Sequence, residues 1–92
     1  GARVLFASST PVHPDRPFRE DQWSWRNEEI DAYNEAARGV MAELGIQINE
    51  LHAVVAADVD RLLSEDQLHL SEDGQAACAA AVCQSVKEQL SA

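Results

Sequence analysis

Hydrophobic and polar positions divide the chain into segments of two kinds. Val4-Leu5-Phe6-Ala7-Ser8-Ser9 is an unbroken apolar run that turns small and polar at its end. Such a run without alternation predicts a strand covered on both faces, as in a parallel sheet. Pro11, Pro14 and Pro17 follow closely and exclude helix or central strand, so an ordered loop runs from Thr10 to about Trp25. Loops that long in compact domains tend to carry function. Asn27 is placed to cap a helix, with Glu28, Glu29 and Asp31 in its first turns, where the helix dipole favours anions. Ile30, Tyr33, Ala37, Val40, Met41 and Leu44 recur at mostly three- and four-residue steps, which predicts one buried stripe. Gly45 is its natural stop.

Ile46-Gln47-Ile48-Asn49 reads as a second strand, and the segment from Leu51 to about Leu63 as a short or broken helix carrying Val54, Val55, Val59, Leu62 and Leu63. Asp66 to Leu70 reads as loop. Ser71 then caps a last helix, with Glu72 and Asp73 in its first turn and Ala79, Cys83, Val86 and Leu90 as its buried stripe. The order is strand, loop, helix, strand, short helix, loop, helix: α/β alternation with a parallel pair joined by a crossover helix. Strand-to-helix loops of such sheets gather at the carboxyl edge, where ligands bind, which singles out residues 10–26 and 58–70.

Charge narrows the partners. The 92 residues hold 16 acidic and 7 basic side chains, a net charge of −9. That excess argues against nucleic acid, whose phosphates need Lys and Arg, and against docking on anionic membranes. No apolar run approaches the ~20 residues of a membrane span. Cys78 and Cys83, five apart in a helical stretch, face different directions and read as two small buried thiols rather than a disulfide. With no C-x-x-C and no histidine set to complete a zinc site, neither a metal nor a cofactor is expected.

The sharpest chemical feature is Asp66-Gln67-Leu68-His69-Leu70-Ser71, followed by Glu72-Asp73-Gly74. A carboxylate three residues before a histidine can accept a hydrogen bond from one ring nitrogen. The other nitrogen is then left to take a proton from a serine hydroxyl. The plainer alternative is a surface Asp beside a helix-capping His.

Asp-x-x-His-Leu-Ser-x-x-Gly at the head of the final helix resembles the last conserved block of the SGNH (GDSL-type) serine esterases. Phe6-Ala7-Ser8-Ser9-Thr10-Pro11-Val12 resembles the fourth strand of that fold and its outgoing loop. Ile30-Asp31-Ala32-Tyr33-Asn34-Glu35-Ala36-Ala37 is similar to the helix that follows, with its Tyr-Asn. Gly45-Ile46-Gln47-Ile48-Asn49-Glu50-Leu51 is similar to the fifth strand and its turn, where the family more often has Asp-Leu. The resemblance implies a three-layer flavodoxin-like α/β fold of parallel strands and flanking helices, of which residues 1–92 form a single partial domain, the carboxyl-terminal half. It implies His69 as general base and Asp66 as its orienting carboxylate, acting on O-acyl esters, acetylated carbohydrate among them.

The family's nucleophile lies in an early Gly-Asp-Ser block, and its oxyanion donors include a Gly and an Asn from two middle blocks. No serine here follows Gly-Asp, so the chain is expected to be nearly inert alone. The abrupt Arg3-Val4-Leu5-Phe6 start predicts that something precedes it. An exposed apolar sheet edge would then invite a complementary N-terminal chain or self-association.

Pro11, Val12, His13, Trp25 and Leu68 are the candidate substrate-binding residues. His13 either faces a pocket or sits in a Pro-flanked turn. Trp25, with Trp23, either walls a pocket or pins the long loop. Leu68 either lines an acyl pocket or anchors the last helix. Two rival readings remain: a non-catalytic interaction module on an α/β framework, and an unrelated acidic domain with a chance Asp-His spacing.

Overall fold

The computed structural model describes residues 2–15 and 26–91. Trp23 and Trp25 lie outside them. The elements run β1 (Leu5–Ala7), α1 (Asn27–Leu44), β2 (Gln47–Asn49), α2 (Leu51–Ala56), α3 (Val59–Leu62) and α4 (Glu72–Ser91). β1 and β2 pair in parallel, with Leu5 opposite Gln47, Phe6 opposite Ile48 and Ala7 opposite Asn49. The parallel pair with a helical crossover is as the hydrophobic pattern predicts. The three-layer flavodoxin-like fold is not: the described residues are 60% helical and hold a sheet of only two strands.

The reason lies in where apolar surface is buried. The core is Val55, Leu62, Leu63 and Cys78, with Leu51, Val54, Val59, Leu70 and Ala77 packed around it. It therefore sits between α2, α3 and α4 rather than on the sheet. Leu5 and Phe6 are only half-buried and Ala7 is exposed, so β1 is not the doubly covered strand its composition suggests.

Two helical stripes also differ from expectation. On α4 the buried residues are Gly74, Cys78 and Ser85, while Ala79, Cys83, Val86 and Leu90 are exposed. Close approach selects small residues: a Cβ on Gly74 would lie 2.1 Å from the Leu62 carbonyl oxygen. The bulkier residues consequently face outward, and Cys83 is a free exposed thiol whereas Cys78 is free and buried. On α1 the one fully buried residue is Asn34; of the expected stripe, Ile30, Ala37 and Met41 are half-buried and Tyr33, Val40 and Leu44 are exposed. Polar contacts add to the attachment of that helix. Arg38 reaches Glu50, at the entry to α2, with a forked pair of hydrogen bonds of 2.8 and 3.1 Å. The guanidinium holds the Glu50 carboxyl below its usual range.

Asn27 does not cap α1; Arg26 occupies that position and makes no side-chain cap. The other end is as expected. Gly45 takes a left-handed φ of 68°, and the Ile46 N–H returns to the Met41 carbonyl at 2.9 Å, a closure that favours glycine.

Candidate functional site

The loop after β1 is fixed by two asparagines of α1. Asn34 accepts the Ser9 N–H at 2.9 Å and donates to the Ser9 carbonyl at 3.0 Å. Asn27 accepts the Val12 N–H at 3.0 Å and donates to the Val12 carbonyl at 2.9 Å. Each side-chain amide thus pairs with a backbone as a neighbouring strand would, and at buried Val12 it satisfies groups that would otherwise be costly to bury. Ser8 continues the ladder to the Asn49 carbonyl at 3.0 Å, and its hydroxyl accepts the His52 N–H at the start of α2.

The second loop runs between α3 and α4. Leu63 and Leu70 form an antiparallel bridge at its base. The Ser64 N–H donates to the His69 carbonyl at 2.8 Å, and the Gln67 N–H to the Ser64 carbonyl at 2.9 Å. Gln67 adopts a left-handed φ of 64°, unusual for a residue with a side chain. Ser71 stands just before α4, as its residue type predicts. Its oxygen accepts the Gly74 N–H at 3.0 Å, and its hydroxyl donates to the Arg61 carbonyl at 2.7 Å.

Asp66 and His69 meet inside this loop. Asp66 Oδ1 accepts from the Ser64 hydroxyl (2.8 Å), the Leu68 N–H (2.9 Å) and the His69 N–H (2.8 Å). Its Oδ2 accepts from His69 Nδ1 at 2.5 Å. The histidine bond, with smaller help from the Leu68 and His69 amides and the Ser64 hydroxyl, holds the Asp66 carboxyl far below the usual carboxylate range. Asp66 therefore stays an anion and can only accept, which places the ring proton of neutral His69 on Nδ1. Nε2 is left as an acceptor on a side chain that is 75% exposed. Neither nearby serine is available as a nucleophile in this arrangement. The Ser64 proton goes to Asp66 and the Ser71 proton to Arg61.

Leu68, immediately before His69, lines a cleft of ≈ 470 Å³ together with Ser9, Thr10, Arg26, Glu29, Ile30 and Tyr33. The other described candidates lie elsewhere. Val12 and His13 line a separate crevice with Pro14 and Asp15, and Pro11 lies with Val12 beside His52 and Val59. Pro11, Val12 and His13 are buried.

Among the described residues His13 is tied at three atoms. Its Nε2 is 2.8 Å from Asp60 Oδ1, its Nδ1 accepts the Asp15 N–H at 3.1 Å, and its own N–H donates to the Gln67 carbonyl at 3.1 Å. Sequence reasoning missed Asp60, 47 positions away, because nothing local couples the two. His52 completes a third Asp-His approach, its Nε2 lying 3.2 Å from Asp31 but off the line of a hydrogen bond. Among the described residues no three His, Cys, Asp or Glu side chains group to hold a metal, and no helix is long and apolar enough to cross a membrane.

Comparison with protein families, curated proteins and solved structures finds none that matches this chain.

Proposed function

We propose that the Asp66–His69 loop supplies the general base and its orienting carboxylate for serine-dependent hydrolysis of a small acyl ester, the serine coming from another polypeptide segment. The observation that carries this reading is the 2.5 Å Nδ1–Oδ2 contact, which leaves Nε2 as a free acceptor on an exposed side chain, one residue after the Leu68 that lines the cleft. In the step envisaged, a serine hydroxyl gives its proton to Nε2 as its oxygen bonds the ester carbonyl carbon. The imidazolium so formed is stabilised by the Asp66 carboxylate. Collapse of the adduct breaks the bond to the alcohol, which leaves with the proton from Nε2. Water then attacks the acyl-serine by the same base and releases the acid. The order of motifs resembling the SGNH esterases supports the assignment, although the folds differ as described.

A second reading, a non-catalytic interaction module, is favoured by a specific observation. Val4, Tyr33, Val40, Leu44, Val82, Val86 and Leu90 are large apolar residues left 37–71% exposed, and among the described residues the sheet is only two strands wide. A partner segment would cover such surface in either case.

Co-expression of the chain with a segment bearing a Gly-Asp-Ser block, assayed with p-nitrophenyl acetate, separates the two. Hydrolysis that His69→Ala abolishes supports the catalytic reading. Hydrolysis indifferent to His69→Ala, or a stable complex with none, leaves the interaction module.

A further inference from the structure

His13 and Asp60 form a second Asp-His pair, and its position relative to the first is informative. The His13 side chain is 5% exposed, whereas Asp60 is 70% exposed. Because Nδ1 accepts the Asp15 N–H, the proton of the neutral ring sits on Nε2 and points at Asp60 Oδ1. Both ring nitrogens are thus engaged, one with the chain that follows β1 and the other with α3. Between them, the His13 N–H holds the carbonyl of Gln67. Gln67 lies between Asp66 and Leu68, and its left-handed backbone directs the Leu68 and His69 amides back onto Asp66 Oδ1. A residue with a Cβ enters that conformation only against steric strain, so an external contact on its carbonyl helps to keep it there.

We propose that His13, latched to Asp60, is a positioning residue for the Asp66–His69 pair, acting through the Gln67 carbonyl. The inference rests on the hydrolytic reading for its purpose, but its geometry is testable without any substrate. Among the described residues no hydrogen bond or ion pair joins His13 to Asp66 or His69. His13 fixes the segment whose backbone clamps the turn, and so sets whether the His69 ring meets Asp66 through Nδ1.

The test uses the full chain, labelled with nitrogen-15, and reads the ring nitrogen shifts of His69 under mildly alkaline conditions. These shifts report the proportion of the Nδ1–H and Nε2–H tautomers. Wild type and Asp60→Asn, whose amide oxygen still accepts from His13, are expected to hold His69 as Nδ1–H. Asp60→Ala removes the acceptor from an exposed position, which spares the core. It should shift His69 toward the mixture of an unrestrained imidazole and lose the hydrogen-exchange protection of the Leu68 and His69 amides. His13→Ala should do the same. His13→Gln, which offers both an acceptor oxygen and a donor amide, should restore the wild-type spectrum. A wild-type His69 spectrum in folded Asp60→Ala overturns the latch and leaves the Asp66–His69 reading standing. A wild-type protein in which His69 shows no preference for Nδ1–H overturns both.

Discussion

Replacing Gly74 by alanine should destabilise the chain and open the base of the site. A Cβ there would lie 2.1 Å from the Leu62 carbonyl oxygen, 3.0 Å from its carbon and 3.2 Å from Leu70 Cβ. The first contact is against backbone, so α4 must move away from α3. That same oxygen accepts the Ser71 N–H at 2.9 Å, and the displacement loosens this bond next to the Leu63–Leu70 bridge. Overpacking of this kind costs about 1–3 kcal/mol, and a weakened hydrogen bond adds about 1 kcal/mol. Alanine regains about 1 kcal/mol of helix propensity, leaving a net loss of about 2 kcal/mol. For a domain of this size that lowers Tm by roughly 8–16 °C. Gly39 provides the control. It lies in the same kind of element, in α1, with nothing within 4 Å of the added Cβ. Gly39→Ala should therefore stabilise by about 0.5–1 kcal/mol. Thermal unfolding followed by circular dichroism compares the three proteins. If Gly74→Ala melts at or above the wild-type temperature, α4 does not pack against the Leu62 carbonyl and the close-approach account of its buried face fails.

Asn34, itself 1% exposed, makes two hydrogen bonds to the backbone of Ser9, which is exposed and can turn to water when they are lost; Asn34→Ala should therefore cost about 1–3 kcal/mol, read by urea unfolding, and a loss under about 0.5 kcal/mol would mean that the clamp is not stabilising. The depressed Asp66 pKa gives a pH signature. The unfolded carboxyl titrates near ~4 and the folded one lower, so its stabilisation is complete above that unfolded value and is lost as pH falls through the folded one. The Tm gap between wild type and Asp66→Asn should accordingly shrink as pH is lowered below about 4, and a gap that widens over that range would contradict the sign.

Local chemistry was legible in the sequence and long-range chemistry was not. Asp66 and His69 are three residues apart in a loop closed by its own backbone, so the spacing alone suggests their meeting. His13 and Asp60 are joined only by the packing of the first loop against α3. Asn27 illustrates a different failure. Asparagine before a helix favours capping, but the same amide can satisfy a neighbouring chain, and the proximity of Val12 decides between them. The stripes on α1 and α4 were sound evidence for helices, but for burial the first held only at Ile30, Ala37 and Met41 and the second not at all, because periodicity specifies a face without saying what stands opposite it. In α4 the small residues face the neighbours, and in α1 a polar residue does. The expected layers failed for the same reason, since the core formed among α2, α3 and α4.

The paired asparagine clamps have a metric consequence. Asn27 and Asn34 are seven residues apart, which along a helix is about 10.5 Å. Ser9 and Val12 are three apart, which along an extended chain is about 10 Å. Helix rise and strand rise thus coincide over this stretch, like two scales read against each other. Inserting a single residue among 10–11 would carry one backbone partner about 3.3 Å out of register, and one among 28–33 would also swing an amide by about 100° around the helix. Loops ordinarily tolerate changes of length, but here length is as tightly fixed as volume is in a packed core.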